Sequence, residues 1–231
     1  MGKFLRVDLY CEGEYGTLLG MLLQIMPYAF GAAVSPLLLV TSILILSQPK
    51  RPKQQCFVFS LGALATITTI ALLLFFVMHV RAQASDPTMT ADIIHIVAGI
   101  ALLALAAHSW HKGSAANKSA RVSDHASYLK AFLLGAALML SNFTTIIMFI
   151  PAGVELQTAG DAVRSAGLVL MVLFAMLPIW LPLLLLTAMG KRGEKLLGAL
   201  SRFMAKHGHE VTAGFVGLIG LYVLLRGILG L

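Results

Sequence analysis

Apolar runs long enough to cross a bilayer dominate this chain and restrict it to very few architectures. A transmembrane helix needs about 20 predominantly apolar residues, and such runs occupy 18–47, 57–80, 91–110, 131–153, 162–189 and 211–231. The 231 residues are 58% hydrophobic and 12% charged, against roughly 25% charged in ordinary soluble domains. Mean hydropathy is +0.88. That balance excludes soluble enzyme folds and nucleic-acid-binding modules, and nucleic acid is not an expected partner. The expected fold is an all-α membrane protein with six transmembrane helices. The run behind the charged opening segment, 1–17, is about twice as long as a signal-peptide core, so it is read as a retained span.

The net charge of +7 reflects topology before it reflects any anionic partner, because cytoplasmic loops of membrane proteins collect Lys and Arg. Twelve of the 17 basic residues fall on one side: Lys50, Arg51 and Lys53; Lys112, Lys118, Arg121 and Lys130; Lys191, Arg192, Lys195, Arg202 and Lys206. The other side holds Lys3, Arg6, Arg81, Arg164 and Arg226. Both termini are therefore expected on the non-cytoplasmic side of a bacterial inner membrane. Within 191–210, Leu196, Leu197, Leu200, Phe203 and Met204 recur at helical spacing among charges. This predicts an interfacial amphipathic helix before the last span, which covers the bundle or recruits an anionic lipid headgroup.

Three spans (18–110), a basic connector (111–127) and three more spans (128–231) predict two repeats, inverted because each holds an odd number of helices. The first span contains Gly31-Ala32-Ala33-Val34-Ser35-Pro36, and the fourth contains Gly135-Ala136-Ala137 and then Ser141-Asn142. Pro36 lacks an amide proton and cannot bond the Ala32 carbonyl, so the first span must kink or unwind there. A straight helix over that 30-residue run would reach about 45 Å, against a hydrocarbon core of about 30 Å. The freed carbonyl needs a donor, with Ser35, Thr41, Ser42 or an ordered water as candidates. Ser141, Asn142, Thr144 and Thr145 form a polar cluster at similar depth in the fourth span. Taken singly, such hydroxyls act as glue between helices. A broken helix paired with a polar-centred one, one in each half, instead marks a midplane substrate site. The candidate binding residues are Gly31, Ser35, Pro36, Ser141, Asn142 and Thr144. Pro178 and Pro182 predict a kink in the fifth span, acting with Pro36 as a gate or serving only as a packing bend. Ala213, Gly217 and Gly220 align small residues for close helix contact.

No Asp, Glu or Lys falls in the middle of a span, which argues against a proton-coupled or divalent-cation carrier. Arg226 is expected to snorkel from the outer end of the last span. His79, His95, Asp86 and Asp92 match no ligand spacing, so no metal site is expected. His111, His125, His207 and His209 are read as cytoplasmic. Cys11 and Cys56 lie a membrane apart and cannot form a thiol relay. No nucleophile triad, nucleotide loop or carboxylate pair is present, and neither an enzyme nor a cofactor is expected.

The Gly31–Pro36 motif, Ser141-Asn142, the basic loop Gln48-Pro49-Lys50-Arg51-Pro52-Lys53 and the closing amphipathic-then-apolar segment resemble the lysine-exporter superfamily. Within it the chain is most similar to the peptidoglycolipid-addressing (GAP) family of six-span bacterial proteins implicated in moving lipids to the cell surface. The resemblance implies that Ser35 and Pro36 form the first broken helix. In such proteins Asn is commonly followed by Pro in the fourth helix; here Phe143 follows Asn142, so only the polar half of the second motif is kept. The superfamily's thiol-relay branch is excluded by the missing cysteine pair. The resulting expectation is an exporter of a lipid, glycolipid or other amphiphile, with membrane lipids as partners and a homo-oligomer or envelope-biogenesis proteins as further candidates. A non-transporting scaffold for an envelope-lipid export machine, or an exporter of small solutes such as amino acids, shares the same composition.

Overall fold

A computed structural model describes residues 14–82, 87–112, 127–157 and 159–230. The described residues are helical apart from short links, as a lipid environment requires of a chain that must satisfy its own backbone. Helices α1 (Glu14–Ala33) and α2 (Pro36–Leu46) meet at a 56° bend, and α5 (Tyr128–Leu140) and α6 (Phe143–Gln157) meet at 59°. The four unbroken helices are α3 (Pro52–Ala82), α4 (Pro87–Lys112), α7 (Asp161–Met189) and α8 (Lys191–Gly230). Each of these four contains a stretch long and apolar enough to cross a membrane, and the number rises to six if each bent pair is one span.

The outer surfaces are apolar. Leu72, Leu73 and Phe76 on α3, Ile93, Val97 and Ile100 on α4, and Val169, Leu173 and Leu184 on α7 are exposed. The i, i+4, i+7 spacing on α4 makes one continuous stripe, which suits acyl chains and would be untenable in water. Facing inward, Tyr28, Phe59, Leu102, Met148, Met171 and Met176 are fully buried, and Phe30 meets Phe174 edge-on at 5.1 Å.

Glycine allows the closest crossings. A Cβ at Gly62 would overlap the Phe132 carbonyl and one at Gly135 the Phe59 carbonyl, so α3 and α5 touch backbone to backbone. On α8, Gly220 lies against Leu102, Gly217 faces Ala106 and Gly227 meets Ile96 of α4. Ala213 is buried as well, so the expected small-residue face is a packing face.

One expectation changes. The amphipathic segment 191–210 and the last span are one continuous helix of 40 residues, because no helix-breaking residue separates them. Its first turns fold back on α7: Gly193 sits against the Leu185 carbonyl and Leu197 is buried, while Leu196 and Phe203 remain exposed. Helix α7 runs unbroken through Pro178 and Pro182. The carbonyl of Pro178, deprived of its partner by Pro182, lies 3.3 Å from Ser42 Oγ, a hydroxyl that also approaches the Leu39 carbonyl at 2.8 Å. Most of the opening segment 1–17 and of the connector 111–127, together with Cys11, Asp86, His125 and the side chains of His79, Arg81 and His111, lies outside the described residues.

Candidate functional site

The first break follows from Pro36. Helix α1 ends at Ala33, and Ser35 adopts an extended conformation (φ −135°, ψ 91°) as the N-cap of α2, with Pro36 at its first position, where a missing amide costs least. Ser35 makes no side-chain capping bond and is buried at 8% exposure.

The second break forms without a proline. Helix α5 ends at Leu140 and is capped by Ser141, whose hydroxyl donates to the Ala137 carbonyl at 2.8 Å. The Asn142 amide shifts to the Met139 carbonyl at 3.1 Å, and the Asn142 carbonyl starts α6 by accepting from Ile146 N–H at 3.2 Å. Asn142 thus takes the N-cap position, which its residue type favours. Its Nδ2 is buried without a hydrogen-bond partner.

The two breaks meet. Thr145 Oγ1, fully buried in the first turn of α6, donates to the Ala32 carbonyl at 3.1 Å. That carbonyl is the one Pro36 leaves without a helical partner. The donor among the described side chains is neither Ser35, Thr41 nor Ser42, but a hydroxyl 113 residues further along the chain.

Around this contact the candidate residues separate. Gly31 is buried beneath Met148 and Ile219, which leave no room for a Cβ. Pro36 is half-buried and packs on Gly208 of α8. Asn142 and Thr144 are half-buried, whereas Ser141 is exposed and bonded within its own helix. The junction is therefore close-packed, with Ser35, Ala32 and Thr145 at its centre.

Open space lies at the start of α3 and α5. A groove of about 430 Å³ is lined by Lys53, Gln54, Phe57, Val58 and Tyr128. Tyr128 accepts from Arg51 Nη1 at 3.2 Å and donates to Gln54 Oε1 at 2.8 Å, so a basic rim adjoins an apolar floor.

Sequence reasoning missed a buried ionic cluster. Glu155 lies two residues beyond the expected end of the fourth apolar run, yet it is inside α6 with only 14% of its side chain exposed. Arg226 Nη2 lies 2.7 Å from Glu155 Oε2, and His95 Nε2 lies 3.0 Å from Glu155 Oε1. Arg226 is thus paired with Glu155, and His95, at 4% exposure, lies inside α4. The available signal was the presence of Glu155 and Arg226 near the ends of two apolar runs; their meeting is a tertiary fact. Among the described residues no group of three His, Cys, Asp or Glu side chains is placed to hold a metal.

A family model described as Sap, sulfolipid-1-addressing protein, matches residues 25–229. The chain belongs to this family. No curated protein and no solved structure matches it. The sulfolipid-1-addressing match takes in both helix breaks, the groove and the ionic cluster, so each of these features lies within the family's own extent. Membership and the apolar helices together make this a multi-pass membrane protein linked to lipid addressing.

Proposed function

We propose that this member of the sulfolipid-1-addressing family exports a lipid, glycolipid or other amphiphile across the bacterial inner membrane. Its two three-helix halves are taken as inverted repeats with both termini on the non-cytoplasmic side, and the wider likeness to lysine exporters belongs to the same reading. The observation that carries it is the Thr145 to Ala32 hydrogen bond, which joins the break of one half to the break of the other. Paired discontinuous helices at a repeat interface are how many transporters build a site that opens alternately to each side. The pairing of elements supports this reading: α3 packs on α5 and α6 as α7 packs on α1 and α2, and α4 and α8 pair with each other.

The cargo chemistry follows from the lining. Lys53 and neighbouring Arg51 offer charge to an anionic headgroup at the groove, while Phe57 and Val58 offer surface to an acyl chain. A sulfolipid, the molecule in the family's description, has both parts. Ser35, Pro36, Asn142 and Thr144 would meet the cargo once the packed junction opens, with Pro36 as the gating bend. The work is positional and needs no cofactor or covalent step.

Proteoliposomes containing the purified protein and a fluorescent sulfated glycolipid provide the test. Autonomous movement between leaflets, lost in Ser35→Ala/Asn142→Ala while the variant remains folded, supports export. Absence of movement by the folded native protein favours the scaffold reading. Movement that the double variant retains removes the site assignment.

A further inference from the structure

We propose that the first half of α8 is a binding surface for the anionic headgroups of one membrane leaflet, the cytoplasmic one in the topology proposed above, and that it is separate from the groove and the helix breaks. Arg192, Lys195, Ala199, Arg202 and Lys206 follow one another at steps of three and four residues, and all are exposed. On a helix of 3.6 residues per turn such steps draw a single stripe, about 21 Å long at 1.5 Å per residue. Four of its five members are cations. Glu194 is the only acid between 191 and 206, and it falls off the stripe. Among the described residues none of the four cations takes part in an ion pair. Glu210, just past the end of the stripe, is held by His207 at 2.9 Å.

The helix sorts its faces. Gly193, Leu197 and Gly208 are buried, with Leu200 and Met204 half-buried between them, and Gly193 and Gly208 rest on α7 and on Pro36. That side covers the bundle. Leu196 and Phe203, 47% and 50% exposed, directly follow Lys195 and Arg202 in the chain and lie about two turns apart, along the edge of the cationic stripe. A single exposed Leu needs no explanation. An apolar pair beside an unpaired row of cations does, and it fits the layer where headgroups give way to acyl chains.

Continuity of the helix decides what covers this face. From Lys206 onward the same α8 is apolar enough to cross a membrane, and no break separates the two parts. The stripe therefore leads straight into the bilayer boundary, where an anionic leaflet attracts each nearby Lys or Arg. A soluble acidic partner would have to displace headgroups already at that level. The lipid here is a fixed neighbour of α8 and not cargo, and the stripe needs neither the groove nor an opened junction. Two residues beyond Lys206, Gly208 meets Pro36, so a stripe seated on headgroups braces α8 where it supports the first bend.

The test measures lipid contact and no transport, so it can fail while the export reading stands, and the reverse. In a cysteine-free background, Ala199→Cys carries a fluorescent label on the stripe of the full-length protein in phosphatidylcholine vesicles. The vesicles hold the same small fraction of acyl-chain nitroxide, attached either to phosphatidylglycerol or to phosphatidylcholine. At low salt the phosphatidylglycerol quencher is expected to act at least about fivefold more strongly, the worth of about one cation near an anionic surface. That preference should vanish in about 1 M salt, where the screening length falls to about 3 Å, and in Lys195→Gln/Arg202→Gln/Lys206→Gln. Arg51→Gln/Lys53→Gln at the groove should leave it unchanged. The salt arm uses no stripe substitution, so it decides the matter even if the triple variant fails to fold. Equal quenching by the two lipids at low salt, or no quenching by either because protein covers the face, overturns the proposal. So does a preference that survives salt or the folded triple variant, or one that is lost with the groove cations.

Discussion

Thr145 shows how much can depend on one hydroxyl. Proline at 36 leaves the Ala32 carbonyl without an amide, and a buried acceptor with no donor costs about 1–3 kcal/mol. Thr145→Val keeps the shape and deletes the donor, so it should destabilise the protein by roughly that amount in detergent unfolding, while Thr145→Ser should retain most of the stability. The need for a donor was legible from Pro36 alone. Its identity was not, because Ser35, Thr41 and Ser42 are near in sequence while Thr145 is near only after two helices have packed. Ser42 had been grouped with the wrong proline: its hydroxyl lies beside the carbonyl freed by Pro182. Glu155 escaped notice for a related reason. It follows an apolar run closely enough to look like a span end, and only the approach of His95 and Arg226 shows that it is enclosed.

Among the elements, the two bent pairs test what makes a helix break. Pro36 enforces the first. The second has no proline, and the Asn142 amide shortens its bond to the third residue back while Asn142 caps the next helix. A proline rule would have found one break; the paired polar residues at 141 and 142 were the better signal for the other. Restoring the amide with Pro36→Ala lets residue 36 compete with Thr145 for the Ala32 carbonyl. Spin labels at exposed Leu23 and Leu44 should then move apart by about 3 Å as the 56° bend relaxes toward a straight helix of 1.5 Å rise per residue, measured by pulsed dipolar spectroscopy. The crossings between elements are equally specific. At Gly62 an added methyl would meet backbone, which cannot rotate aside, so Gly62→Ala should cost about 1–3 kcal/mol. At Gly214 a Cβ finds nothing within 4 Å, and Gly214→Ala should show no loss of thermal stability.

Across the whole molecule, the apolar runs were enough to assign the chain to the membrane, where the described residues offer four spans, or six if each bent pair is one span. Long hydrophobic stretches have only one way to satisfy their backbone there. Charge asymmetry gives an expected orientation, which is open to direct test. In a cysteine-free background, a cysteine at Gly2 should react with a membrane-impermeant maleimide added to intact cells, and one at Ser119 only after permeabilisation. The reverse pattern would invert the topology. The pairing of elements was less accessible. Nothing in the spacing of residues indicated that the third span would pack against the last, or that charges near their ends would share one pocket.

Helix α8 is unbroken over 40 residues, a length of about 60 Å. It touches α7 at Gly193, the Pro36 bend at Gly208, and the carboxylate of Glu155 at Arg226. Such a rod cannot tilt at one face of the bilayer without swinging at the other. A lipid pulling on its basic end would swing its far end through the same lever, with the bend in the first span close to its fulcrum.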